Sequence, residues 1–243
     1  MPDLLTPNAV DTEAYDLAVI GAGSAGFSAA ITAAEDGARV ALIGYGTIGG
    51  TCVNVGCVPS KAMIRAVETL RSAKVAARFD GVEATAQVTD WTALLAQKQA
   101  LVDDLRVAKY VDVLPNYEGV NYIEGQASFL QDGSLHVGDR TIRAPKIIIA
   151  TGSSPHVPDI PGLNEVDWLD STSALEQSHL PKSLMVIGGN YIGVEIAQIF
   201  ARAGAEVMIV TRRRLLPDAE PEVSEALMKA FSDEGIKILD DLS

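Results

Sequence analysis

The stretch from Asp16 to Gly26, DLAVIGAGSAG, decides the fold of this chain. It begins as a short apolar run, typical of a buried strand, and breaks at the G-x-G-x-x-G turn of Gly21 to Gly26. An alanine-rich helical pattern follows to about Asp36, and Arg39 to Ile43 predicts the next strand. A strand, a glycine turn, a helix and a second strand form the βαβ unit typical of dinucleotide-binding folds.

The three glycines of this turn have separate predicted roles. Gly21 permits the tight bend, Gly23 lets the backbone approach a pyrophosphate, and Gly26 lets the helix and strand pack closely. The N–H groups at the start of the helix then face the phosphates. A glycine turn can also serve packing alone, and this alternative stays open at this point.

The same pattern recurs in the second half of the chain. Ser183 to Ile187 is apolar, Gly188 to Gly193 (GGNYIG) is a second glycine turn, and a helix to about Ala203 precedes the strand Glu206 to Val210. Asn190 stands where the middle glycine would be, and we expect it there because Asn tolerates a left-handed backbone. The predicted fold class is α/β with two Rossmann-like dinucleotide-binding units.

The residue that ends the second strand of each unit indicates which ribose is bound. An acid there bonds a free 2′-hydroxyl, whereas arginine suits a 2′-phosphate. In the second unit Thr211 is followed by Arg212, Arg213 and Arg214, which favours NADPH over NADH. The alternative is a solvated basic surface loop. In the first unit the position is Gly44, so the expected carboxylate is missing.

The only two cysteines, Cys52 and Cys57, lie in the segment GGTCVNVGCVPSK, from Gly49 to Lys61. Across the first turn of a helix, a pair with this spacing can come within disulfide range. A helix N-terminus also favours the thiolate form. A structural disulfide or two inert buried cysteines are the alternatives, and zinc would need a second ligand pair. We expect a redox-active pair.

Composition excludes several classes of function. The chain has 243 residues, 48% of them hydrophobic, and a formal net charge of −13. An acidic chain of this kind is not expected to bind nucleic acid. No apolar run approaches the length of a membrane span, and the acidic start does not resemble a secretory signal. We expect a cytoplasmic protein that binds no membrane.

Between and after the two units, the pattern predicts further elements. Helices are expected to about Arg78 and over Trp91 to Leu114, and Thr151 to Gly162 carries three prolines, which predicts a rigid crossover. A helix over Glu222 to Glu234 and a strand over Ile236 to Leu239 close the chain. Five short strands are expected at Val120–Glu124, Ala127–Leu130, Ser134–Val137, Thr141–Arg143 and Lys146–Ala150.

With these motifs the chain resembles the pyridine nucleotide–disulfide oxidoreductases over essentially its whole length. Within that family it is most similar to the mercuric reductases, in GTIGGTCVNVGCVPSK, in LLAQKQALVDDLRVAKYVDVL (Leu94 to Leu114) and in YIEGQASF. The resemblance implies FAD and NADPH as cofactors and reduction of Hg(II) to Hg(0), with Hg(II) bound by the cysteine pair. Two alternatives stay open: another disulfide reductase, similar to dihydrolipoamide or glutathione reductase, or a non-catalytic remnant that binds flavin or Hg(II).

The resemblance also implies a domain organisation. A flexible arm over residues 1–14 would precede the first segment of an FAD-binding domain, 15–152, which carries the cysteine pair. Residues 153–243 would form an incomplete NADPH-binding domain. Relatives continue with a second FAD-contacting segment and a dimerisation domain, through which they form homodimers. We therefore expect this chain to be a fragment with impaired activity.

Residue roles follow from the same resemblance. Cys57 would lie nearest the flavin ring and Cys52 would meet substrate. Tyr191 would cover the nicotinamide pocket, and Glu195 would pair with Lys61 beside the flavin; simple helix packing and helix charge are the alternatives for Tyr191 and Glu195. The FAD contacts would be Gly21, Gly23, Ser24, Ala25, Gly26, Gly50, Thr51, Lys61, Ala127 and Gly152. The NADPH contacts would be Gly188, Asn190, Tyr191, Ile192, Glu195, Arg212 and Arg213.

Overall fold

A computed structural model describes residues 12–240 of the chain. Residues 1–11 of the predicted flexible arm lie outside the described residues. The last three residues of that arm, Thr12–Ala14, form a strand, β1, that pairs in parallel with Arg140–Arg143. The expectation of an arm was wrong for these three residues, because the Glu13 carboxylate accepts hydrogen bonds from Arg140 Nε and Tyr15 Oη, each at 2.7 Å.

The chain folds into two compact units. The first combines the described residues up to Asn54 with Asp103–Ser154, and the second combines Val55–Val102 with the described residues from Pro155 onward. The predicted boundary kept residues 15–152 together, whereas the structure moves Val55–Val102 into the second unit. The physical reason is that Met63 and Val67 are fully buried in the same apolar core as Phe200.

The first unit contains a four-stranded parallel sheet and a four-stranded mixed sheet. Its elements after β1 are β2 (Leu17–Ile20), α1 (Ser24–Glu35), β3 (Val40–Gly44), α2 (Gly50–Asn54), β4 (Val120–Glu124), β5 (Ala127–Phe129), β6 (Leu135–Val137), β7 (Arg140–Arg143) and β8 (Ile147–Ile149). The parallel sheet has the order β4-β3-β2-β8, and the second sheet has the order β1-β7-β6-β5, in which β5, β6 and β7 pair antiparallel. Strand β3 is buried along its whole length, which fits a central parallel strand.

The second unit consists of α3 (Cys57–Lys74), α4 (Trp91–Arg106), α5 (Ser171–Leu175), β9 (Ser183–Ile187), α6 (Tyr191–Ala203), β10 (Glu206–Val210), α7 (Pro221–Asp233) and β11 (Lys237–Leu239). Its three strands form a parallel sheet in the order β11-β10-β9, with helices packed against it. The core centres on Phe200, Ile209 and Phe231, which are almost completely buried. The last four residues of α4, 103–106, belong to the first unit.

The predicted α/β class with two βαβ units is confirmed. Strands β4, β9 and β10 have the predicted bounds, and Thr151 to Ile160 contains neither helix nor strand. The helix predicted over Trp91 to Leu114 was too long, since α4 ends at Arg106 and continues as a π-helical turn, Val107–Val111. Within residues 12–240, no helix combines the length and apolar character needed to cross a membrane.

Candidate nucleotide and redox sites

The first glycine turn has the tight geometry that the sequence predicts. Gly21 has φ +118°, and a Cβ atom placed on it would lie 2.1 Å from the carbonyl oxygen of Ala150. A Cβ atom on Gly26 would lie 1.8 Å from the carbonyl oxygen of Gly21. Neither position has room for a side chain, so the turn and the start of α1 pack directly on backbone.

The start of α1 fits a bound pyrophosphate. Gly23 is the N-cap residue; among the residues that the structure describes, no side chain caps the helix here, and its first turn contains no acid. Gly50 approaches so closely that a Cβ atom on it would lie 2.6 Å from Gly23 Cα. Ser24, Ala25 and Thr51 are exposed around this backbone cradle. Uncapped N–H groups beside open backbone are what a phosphate group requires.

Tyr110, which the sequence analysis did not single out, contacts residues of this backbone cradle. Its hydroxyl lies 2.9 Å from Ser24 Oγ, and its ring meets Phe27 edge-on, with centroids 4.7 Å apart. A Cβ atom on Gly49 would approach the same ring to 3.2 Å. The π-helical turn that carries Tyr110 is a device often found at functional sites. The stretch VAKYV gave no signal of this role when considered alone.

The structure shows what occupies the space beside Gly44. A Cβ atom on Gly44 would lie 2.7 Å from Tyr122 Oη and 2.7 Å from Ala22 Cβ. Burial raises the pKa of Tyr122, and the negative charge of Glu124 raises it further. The neutral phenol of Tyr122 therefore occupies the space that the Cβ atom of an acidic residue at position 44 would need.

Two hydrogen-bonded side chains hold the segment that carries Cys52. The Asn54 amide donates to the carbonyl oxygens of Ile48 and Gly50, each at 2.9 Å. Arg106 Nη1 in turn donates to Asn54 Oδ1 at 3.1 Å. Cys52 lies in α2, and its side chain is exposed. An exposed thiol is thus presented from a short helix whose ends are held by the hydrogen bonds of Asn54 and Arg106.

Cys57 is the first residue of α3 and is also exposed. The two cysteines were expected across the first turn of one helix; instead Cys52 belongs to α2, and Gly56 ends the intervening loop as the N-cap of α3. The local reason is that Gly56 adopts φ −120° and ψ −108°, which is outside the helical range. The redox pairing of the two thiols stays a prediction.

One turn into α3, the predicted pair of Lys61 and Glu195 is confirmed as an ion pair. Lys61 Nζ lies 2.5 Å from Glu195 Oε1, with the two side chains 61% and 31% exposed. Ser60 was missed by the sequence analysis: its hydroxyl donates to Glu195 Oε2 at 2.9 Å and contacts the carbonyl oxygen of Cys57 at 3.3 Å. The carboxylate therefore links the lysine to the turn that begins at Cys57. Proximity of this pair to a flavin stays a prediction.

The second glycine turn repeats the geometry of the first. Gly188 has φ +114°, and a Cβ atom on Gly193 would lie 2.1 Å from the carbonyl oxygen of Gly188. The reason given for Asn190 was wrong, because its φ of −92° is extended rather than left-handed. Its Oδ1 instead accepts a hydrogen bond from the Tyr191 backbone N–H at 2.9 Å. Asn190 thus caps α6, whereas α1 is uncapped.

The residues predicted to contact the nicotinamide and the 2′-phosphate of NADPH are exposed around this turn. Tyr191 and Ile192, the first residues of α6, are 61% and 65% exposed. Arg212 and Arg213 are also exposed, and Arg213 forms a long 3.9 Å ion pair with Asp218. These four side chains remain accessible to a dinucleotide.

Arg214, the third arginine of this loop, forms hydrogen bonds with the loop backbone. Arg214 Nη2 donates to the carbonyl oxygens of Pro217 and Ala219, at 3.3 and 2.7 Å. Leu216 adopts φ +46°, and its N–H donates to the carbonyl oxygen of Gly189 at 2.7 Å. The arginine loop is thereby tied to the second glycine turn, and a left-handed Leu is a strained conformation.

Ala127 and Gly152, the other predicted FAD contacts, lie in the first unit at a strand start and in a loop. Ala127 begins β5 and is half-buried. Gly152 has φ +75°, and a Cβ atom placed on it would meet no atom within 4 Å. Contact of these two residues with a cofactor stays a prediction.

Comparisons with known proteins agree with this geometry. The family model described as "Pyridine nucleotide-disulphide oxidoreductase" matches residues 15–240. The chain is 45% identical to the mercuric reductase of Streptomyces lividans over 229 residues, and 45% identical to that of Staphylococcus aureus over 226 residues. These matches cover 92% and 93% of this chain.

A solved structure is also similar along most of the chain. The HOCl-induced flavoprotein disulfide reductase RclA from Escherichia coli matches 94% of this chain, with a TM-score of 0.79 and 33% identity. The chain spans about half, or less, of the length of these proteins: 48% and 41% of the two reductases and 49% of RclA.

Proposed function

Because the chain belongs to the pyridine nucleotide-disulphide oxidoreductase family, we propose that it carries the cofactor-binding and redox segments of a mercury(II) reductase. The family is one of flavin-dependent oxidoreductases whose cofactors are FAD and NADPH. The observation that carries the assignment to Hg(II) is the 45% identity to two mercuric reductases, over 92% and 93% of a chain that exposes two thiols, Cys52 and Cys57.

Each unit supplies residues for one dinucleotide. In the first unit, the turn from Gly21 to Gly26 would hold the FAD pyrophosphate against the uncapped start of α1, next to Gly50 and Thr51. In the second, Gly188 to Ile192 would hold NADPH, with the exposed Arg212 and Arg213 directed to its 2′-phosphate. When bound, FAD supplies a two-electron carrier between NADPH and the thiols.

The cysteine pair would perform two tasks. Opening a Cys52–Cys57 disulfide consumes two electrons and two protons and leaves two thiols. In thiolate form these are soft ligands, which a soft metal ion such as Hg(II) prefers to oxygen or nitrogen donors. Delivery of two further electrons to the bound Hg(II) yields Hg(0), which has no charge with which to hold the thiolates.

Lys61 would act as a positioned positive charge. Glu195 and Ser60 fix the position of its ammonium group, and the position of the lysine one turn into α3 ties that charge to Cys57. A fixed cation favours an acceptor that gains negative charge, because no reorganisation is needed when the electrons arrive. We propose that this acceptor is the flavin ring.

A disulfide substrate is the second candidate, favoured by the similarity to RclA, which is named a flavoprotein disulfide reductase. The same thiol pair would then exchange with a disulfide sulfur, through a mixed disulfide, rather than bind a metal ion. The two candidates share every cofactor residue and differ only in what meets the exposed thiols.

Their separation requires a test on the reduced thiols. The FAD-loaded protein is reduced anaerobically with NADPH, excess NADPH is removed, and Hg(II), glutathione disulfide and lipoamide are offered separately. We expect Hg(II) to consume two thiols per ion at a rate at least tenfold above either disulfide. Cys52→Ser and Cys57→Ser should each abolish this stoichiometry. Faster reaction with a disulfide would support the second candidate, and no reaction with any of the three would contradict both.

A further inference from the structure

A carboxylate was expected at the end of β3 to meet the adenosine ribose, and the adjacent strand β4 ends in one, Glu124. Gly44, the last residue of β3, is the register partner of Glu124, the last residue of β4. Paired residues of parallel strands direct their side chains to the same face of the sheet. The Gly125 N–H also donates to the carbonyl oxygen of Gly44 at 2.7 Å, so the two strand ends are held side by side.

Steric packing explains why the acid does not stand at position 44. Tyr122 lies two residues before Glu124 on the same face of β4, and its hydroxyl would be 2.7 Å from a Cβ atom on Gly44. Ala22, in the glycine turn, blocks the other side at the same distance. Any side chain at position 44 would therefore displace the Tyr122 ring or the turn that holds the pyrophosphate.

The negative charge is present one strand away. Glu124 is exposed, and its charge acts on the Tyr122 phenol, whose pKa it helps to raise. No ion pair within residues 12–240 neutralises this carboxylate. It stands at the carboxyl end of a parallel strand, which is where ligands of open α/β sheets bind.

We propose that Glu124, aided by Tyr122, is the residue that recognises the adenosine ribose of FAD in this chain. The Glu124 carboxylate accepts hydrogen bonds from the ribose hydroxyls, and the Tyr122 phenol fills the space that a side chain at position 44 would occupy. The same charge repels a 2′-phosphate, so it also keeps NADPH out of the first glycine turn. This inference rests on the proposed function, since it requires FAD at that turn.

The test compares ribose recognition in matched variants. Apoprotein is titrated with FAD and with FAD that lacks the adenosine 2′-hydroxyl, and dissociation constants are taken from flavin fluorescence and calorimetry. A hydrogen bond to a charged group contributes roughly tenfold or more in affinity. We expect the unmodified protein to prefer FAD by about tenfold, and Glu124→Gln to lose that preference. Glu118→Gln, which removes another exposed carboxylate near the start of β4, should keep it.

A swap of positions gives an independent test. Gly44→Glu alone should weaken FAD binding, because the new side chain collides with Tyr122. The triple variant Gly44→Glu, Tyr122→Ala, Glu124→Gln should again prefer FAD over the 2′-deoxy form. Its carboxylate at position 44 would then meet the ribose from β3 instead of β4. Preference retained in Glu124→Gln would overturn the inference while leaving FAD binding intact. Failure of the unmodified protein to bind FAD would instead contradict the proposed function itself.

Discussion

Gly26 and Gly193 occupy equivalent places in the two glycine turns, and alanine at each should weaken the binding of one cofactor and leave the binding of the other unchanged. At Gly26 the added methyl carbon would lie 1.8 Å from the carbonyl oxygen of Gly21; at Gly193 it would lie 2.1 Å from that of Gly188. Ordinary contacts of a Cβ atom begin at 3.4 Å. Both substitutions therefore force backbone to move, since no flexible side chain is available to yield.

The magnitude follows from that displacement. The helix and the turn must separate by more than about 1 Å, and misplacement on that scale commonly costs about 100-fold in the function of a site. We expect Gly26→Ala to weaken FAD binding by about 100-fold, or about 2.7 kcal/mol, with little change in NADPH binding. Gly193→Ala should give the converse result. Overpacking should also lower the free energy of unfolding by about 1–3 kcal/mol in each variant.

Two other glycines serve as controls, one in each unit. Gly37 has φ +88° and Gly204 has φ +118°, but a Cβ atom on either meets nothing within 4 Å. Alanine there should cost about 1–2 kcal/mol of stability through backbone strain alone and leave both affinities unchanged.

The assay combines flavin fluorescence, NADPH calorimetry and urea unfolding on all four variants. If Gly26→Ala bound FAD as well as Gly37→Ala does, the reasoning from backbone contact at the turn would be refuted.

Three further substitutions test the packing and the supports of the sites. Glu234→Ala should lower the free energy of unfolding by about 2 kcal/mol in urea, because it leaves the half-buried Arg202 without a carboxylate now 2.7 Å from both Nε and Nη2; a loss under about 0.5 kcal/mol would contradict this. Asp170→Ala should cost about 1 kcal/mol at pH 7, since the carboxylate caps α5. The Ser173 backbone N–H lowers the pKa of Asp170 below its ordinary 3.8, so the difference should be complete above that pH and be lost as pH falls through the lower folded value; a difference that does not begin to shrink below pH 3.8 would argue against the cap. Tyr110→Phe should cost about 1 kcal/mol in unfolding and weaken FAD binding less than tenfold, because it removes one hydrogen bond behind the cradle; full loss of FAD would assign that tyrosine a direct contact.

Local sequence patterns were sufficient to predict most of the fold. The first and last residues of β4, β9 and β10 could be predicted correctly, because the apolar runs there are short and are ended by turn glycines or charged residues. Both glycine turns could be predicted because their constraints are local: a bend and a helix within six residues. The Lys61–Glu195 pair required the family resemblance, since 134 residues separate its members.

Long-range packing decided the rest. Nothing near Gly44 in sequence indicates that Tyr122 fills its side-chain space. The backbone of Asn190 could not be read from residue preference, because a capping hydrogen bond, not left-handed tolerance, explains the residue. The placement of Val55–Val102 with the second unit depends on buried contacts of α3 with α6, which no local pattern reveals.

Counting electrons tests the redox assignment of Cys52 and Cys57 most directly. The FAD-loaded chain and its Cys57→Ser variant are titrated with dithionite under anaerobic conditions, and thiols are counted at each step. The unmodified protein should accept one electron pair at the disulfide and another at the flavin, with two new thiols appearing before the flavin is bleached. The variant should accept only the flavin's pair. Equal uptake by the two proteins would contradict electron exchange between this cysteine pair and a flavin.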